Sequence, residues 1–112
     1  MIKETFSIDM FNGLKFILII GEKKEFNEYV KESFNVETEL PMAFCATFND
    51  DIVIGLPLNV DYPMVTHECY HLLHHVAKKL DLSLGFDDQE WGAYMIETFM
   101  CKILNILKTI KE

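Results

Sequence analysis

An α+β domain is the fold class this sequence predicts, and three observations predict it. Strand-like apolar runs crowd the first half, at Thr5 to Phe11, Leu14 to Ile20, Ala43 to Phe48 and Ile52 to Leu56. Two long segments with helical spacing fill the second half, one with its interior at Val65 to Leu80 and one from about Asp88 to Lys111. Sheet first and helices last is an α+β order. With 112 residues at 50% hydrophobic content, the chain is long enough for one core without disulfide staples, so 1–112 reads as a single domain. The expected sheet is small, antiparallel or mixed, and built from two hairpins.

Each element has its own signal. Thr5 to Phe11 alternates, Asn12-Gly13 suits a type I′ turn, and Leu14 to Ile20 returns as a more buried strand. Glu22 to Phe34 sets Phe26, Tyr29, Val30 and Phe34 on one stripe of an amphipathic helix. Ala43 to Phe48 and Ile52 to Leu56 form a second hairpin about Asn49-Asp50. A loop from Pro57 to Pro63 follows, and Pro63 suits the first turn of a helix. On that helix Cys69, Leu73, Val76 and Leu80 make a core-facing stripe, and on the last helix Ile96, Phe99, Ile103, Leu107 and Ile110 make another. The last stripe is core first and a homodimer seam second. If the strand before His67 is a sheet edge, its unpaired N–H and C=O groups would take an extended peptide by strand addition.

Chemistry concentrates in His67-Glu68-Cys69-Tyr70-His71. Two histidines four apart on a helix lie about 40° apart around its axis, so both imidazoles can reach one ion at ~2.0–2.1 Å. Glu68, about 100° from His67, falls short of the ion but reaches a water beside it, the place of a general base. A catalytic zinc takes a third protein ligand and keeps a position open. Glu90, with eighteen residues between it and His71, is the candidate, since a carboxylate in the first turn of the last helix could swing back over the first. Asp87-Asp88-Gln89-Glu90 also reads as an acidic N-cap with a capping box, which needs no metal. Glu97 lies about 20° from the direction of Glu90 and could replace it. Tyr94 shares that face and could donate its hydroxyl to an oxyanion, or simply pack. His74 is a turn beyond His71 on the ligand face and His75 points more to solvent; both read as structural.

These residues resemble the gluzincin metallopeptidases, in which HExxH is followed by a glutamate on a second helix. The closer likeness is to small zincin-type metallopeptidases encoded by phages and prophages. It rests on Val65-Thr66-His67-Glu68-Cys69-Tyr70-His71, Gly85 and Glu90-Trp91-Gly92-Ala93-Tyr94, and covers most of the chain with its specific motifs in 65–94. The resemblance implies a minimal zincin-like domain, Zn²⁺ on His67, His71 and Glu90, and Glu68 as base. Two positions depart from thermolysin-like relatives: Gln89 stands where they place Asn, and Tyr94 where they place an aspartate that orients a histidine.

Charge and cysteine usage bound the partners. Ten Lys+Arg against eighteen Asp+Glu give a net charge of -8, which repels nucleic acid and anionic membranes. Cys45, Cys69 and Cys101 are odd in number and unpaired in spacing, as expected of core residues in a reducing cytoplasm, which for a phage-encoded chain is the host's. The longest apolar run, Phe16 to Ile20, is too short to cross a bilayer. The expected activity is hydrolysis of a peptide or protein substrate by a zinc-activated water. The alternative is a non-catalytic, zinc-stabilised module that binds a phage or host protein. Glu68 favours the enzyme, because a purely structural site would close its fourth position with Cys or His and has no use for a base.

Overall fold

Near-continuous apolar strands, Phe-Ile-Leu-Ile-Ile and Asp-Ile-Val-Ile-Gly-Leu, demand burial on both faces, and the architecture answers that demand. The computed structural model describes residues 1–8, 14–82 and 89–111. Its elements are β1 (Ile2–Phe6), β2 (Phe16–Ile20), α1 (Lys23–Phe34), β3 (Phe44–Phe48), β4 (Asp51–Leu56), α2 (Tyr62–Lys79) and α3 (Gln89–Lys111). They form two compact units, Met1–Asp61 and Tyr62–Glu112. The class is α+β, with a four-stranded mixed sheet and three helices. Among the described residues no helix is long and apolar enough to cross a membrane.

In the first unit the strand order is β1-β2-β4-β3. Both outer pairs are antiparallel, and the central β2–β4 pair is parallel. The strand that precedes α2 is therefore interior and not an edge, so its backbone has no free side for a peptide. β4 pairs on one side with β2 and on the other with β3, and Ile52 to Leu56 is buried throughout. The edges fall to β1 and β3. β1 starts at Ile2, earlier than the Thr5 expected, and its charged Lys3 and Glu4 suit an edge. Thr5 pairs with Ile17. The expected Asn12-Gly13 turn lies outside the described residues.

The second hairpin forms as its sequence predicts. Phe48 pairs with Asp51, and Asn49 takes φ 55°, the left-handed conformation that Asn tolerates in a two-residue turn. One sheet face, with Ile17, Ile19 and Val53, packs with Phe26 and Val30 of α1 and with Leu40 and Phe44. α1 itself opens on a capping box, the Glu22 N–H donating to Glu25 Oε1 at 2.9 Å. It closes at Asn35, left-handed at φ 56°, whose N–H donates to the Lys31 carbonyl. Gly55 is required where it stands: a Cβ there would lie 2.2 Å from Phe44 Cε1.

In the second unit α2 and α3 run antiparallel. Thr66 Oγ1 lies 3.5 Å from Met100 Sδ, and a Cβ on Gly92 would lie 3.5 Å from Leu73 Cδ2. α2 buries Val65, Glu68, Cys69, Leu72, Leu73, Val76 and Ala77. Leu80, expected in that stripe, is past the helix end and 38% exposed. There the Leu82 N–H donates to the Ala77 carbonyl at 2.8 Å around a left-handed Asp81, a Schellman stop that turns Leu80 outward. On α3 the fully buried line is Met95, Phe99 and Ile103, with Leu107 beyond and Ile96 and Ile110 only half-buried. The stripe is thus rotated by one residue from the expected one at its start. None of the cysteines is in a disulfide; Cys69 is buried, Cys45 half-buried and Cys101 exposed, so the expectation of three core thiols fails at Cys101.

Candidate metal centre

α2 divides its motif between inside and outside. His67 and His71 are exposed, while Glu68 between them is buried, with only 5% of its surface accessible. Helical spacing explains the split. At 100° per residue the two histidines sit about 40° apart, and Glu68 is turned towards the apolar side that Cys69 and Leu72 share. The two Nε2 atoms come to 3.2 Å of each other, with the rings at 73°. Two donors on one tetrahedral ion at ~2.0–2.1 Å are about 3.3 Å apart, so the imidazole pair already holds two corners of such a site. One imidazole donating to the other would also account for this distance, and it too requires both rings to turn inward on the same point.

Glu68 completes the group. Its carboxylate and the two imidazole nitrogens lie within 4.8 Å of one another, and among the described residues this is the group of three metal-capable side chains that comes together. Glu68 is also the one buried charged residue among those described. Carboxylates are rarely buried without a partner or a task. Burial pushes its carboxyl above the usual carboxylate range, and the adjacent His67 and His71 act in the opposite direction. Cys69, behind it, has its thiol pushed up to about 12 by burial and then by the charge of Glu68. A thiol so placed packs as a small apolar group.

The remaining residues singled out by spacing stand elsewhere. Glu90 is exposed in the first turn of α3 and is not in the group with His67, Glu68 and His71. It shares the outer face of α3 with Tyr94, which is 62% exposed, and with Glu97. Tyr94 and Glu97 line a shallow groove of about 280 Å³ with Thr98, Cys101, Lys102 and Asn105. Gly85, Asp87 and Asp88 lie outside the described residues. His74 is exposed and His75 half-buried, the reverse of the expected order, because α2 buries the flank on which His75 and Val76 lie.

Sequence reasoning passed over Tyr70. It is 54% exposed and its ring meets His74 edge-to-face at 4.6 Å and His71 at 6.2 Å. The signal was present in the spacing, since positions 67, 70, 71 and 74 recur at the i, i+3, i+4, i+7 interval of one helix face. No protein-family profile, curated protein or solved structure matches the chain.

Proposed function

We propose that the chain is a zinc-dependent hydrolase of the metallopeptidase type, with His67 and His71 as ligands and Glu68 as general base. The carrying observation is the 3.2 Å approach of the two Nε2 atoms beside a buried carboxylate. The donor set fits zinc: two neutral imidazoles, an adjacent carboxylate and solvent-facing corners suit a borderline-soft ion that keeps a position open. When bound, Zn²⁺ supplies a Lewis acid that acidifies water and polarises a carbonyl. Glu68, held by the α2 backbone, takes the proton of the attacking water and returns it to the leaving amine. Its burial favours the protonated form, which supports proton acceptance from water.

Glu90 enters as third ligand on its spacing from His71, and Tyr94 as oxyanion donor on its place one turn beyond Glu90. The likeness to phage and prophage zincins supports this assignment through the motif residues 65–71 and 90–94. The substrate is a peptide or protein.

The test is to incubate zinc-replete chain with a broad peptide library and read products by mass spectrometry. Wild type should cut, while Glu68→Gln should keep its metal and leave every peptide intact. If zinc-replete wild type cuts nothing and captures one protein partner as well as Glu68→Gln does, the metal is an element of a binding module and the hydrolase reading fails.

A further inference from the structure

Around α2 the histidine pair has two flanks. Glu68 is turned about 80° from the midline of His67 and His71 on one side, and Tyr70 is turned about 80° on the other, with His74 at about 40° on Tyr70's side. The buried flank belongs to the base. The other carries two exposed rings in edge-to-face contact, and the sequence of contacts is unbroken: His67 to His71 at 4.8 Å, His71 to Tyr70 at 6.2 Å, Tyr70 to His74 at 4.6 Å.

We propose that Tyr70 and His74 form a subsite for an aromatic side chain of the substrate, next to the bond that is cleaved. This rests on the metal reading above. Glu68 occupies one flank of the histidine pair, and the open flank is the one on which Tyr70 presents more than half of its surface. The contact with His74 limits the orientations of the Tyr70 ring, so little freedom remains to be lost when a ligand binds. Ring faces and edges at 4.5–7 Å spacings are what another aromatic group packs against. An i, i+4 pair that served only the helix would stabilise α2 slightly and would not discriminate among ligands.

The experiment uses two hydroxamates as probes, each of which chelates zinc through the same atoms: phenylalanine hydroxamate and glycine hydroxamate. Binding to the zinc-loaded full chain is measured by isothermal titration calorimetry. Wild type should prefer the phenylalanine probe by roughly two- to tenfold, the range of one aromatic contact. Tyr70→Ala should bring that ratio close to one with the glycine probe's affinity unchanged, Tyr70→Phe should keep it, and His74→Ala should reduce it. Equal affinities for both probes in wild type, or a ratio that survives Tyr70→Ala, would overturn the subsite alone. Failure of the chain to load zinc at all would overturn the metal centre and the subsite with it, whereas bound zinc with neither probe binding would overturn the subsite alone.

Discussion

Glu68→Gln should stabilise the metal-free chain, and the effect should depend on pH. Glu68 is 5% exposed and its carboxyl is pushed up mainly by burial, with His67 and His71 pulling it back in part. A folded-state pKa above the unfolded one means that the native chain binds this proton more readily than the unfolded chain does. The resulting stability is complete below the unfolded value of about 4.3 and is lost as pH rises through the raised folded value. Above that raised value the wild type carries an ionised, desolvated carboxylate, whereas Gln has no charge to desolvate. Gln keeps two polar atoms in the same place, so the net gain is a fraction of the cost of a buried polar group, about 1 kcal/mol. For a domain near this size that is a rise of roughly 4–8 °C in melting temperature. Calorimetric melts of variant and wild type in EDTA at pH 4 and pH 7.5 measure it. The difference should be near zero at pH 4 and positive at pH 7.5. A variant that melts at or below wild type at pH 7.5, or by the same margin at both pH values, would refute the argument.

Three further outcomes follow from particular contacts. Gly55→Ala puts a Cβ at 2.2 Å from Phe44 Cε1, on a ring packed edge-to-face with Phe26 at 5.5 Å, so it should destabilise by about 1–3 kcal/mol in urea titration, and Phe44→Leu in the same chain should recover part of the loss. Iodoacetamide at neutral pH should label exposed Cys101 promptly and leave Cys69, with its thiol pushed up to about 12, unlabelled until the chain unfolds, as peptide mass spectrometry would show. Zinc at a thousandfold excess over Kd should stabilise by about 4 kcal/mol, or roughly 15–30 °C, and Glu90→Gln should shrink that shift while Glu97→Gln preserves it. The opposite pattern would transfer the third-ligand role to Glu97.

What could be read from the sequence was what depends on local spacing. The imidazole pair is a property of one helix, so four residues of separation were enough to place it, and Asn49-Asp50 set its own hairpin for the same reason. What could not be read depends on which side of an element meets its neighbours. A continuous apolar run such as Ile52 to Leu56 announces burial on both faces but not which strand lies beside it, so its central place in the sheet was missed. Leu80 fits the periodicity of α2, yet the left-handed Asp81 ends the helix before periodicity applies. On α3 Met95 and Ile96 are both apolar neighbours, and only packing chooses Met95 for the core. Glu68 stands out in the pattern as a candidate base, but its burial belongs to the folded chain.

The central claim is that His67, Glu68 and His71 constitute a metal centre with a base. Elemental analysis of protein purified without a metal-affinity tag, run on wild type, His67→Ala, His71→Ala and Glu68→Gln, tests it most directly. One zinc per chain is expected in wild type and in Glu68→Gln, and none in either histidine variant. Wild type without zinc after purification in its presence, or His71→Ala with as much zinc as wild type, would contradict it.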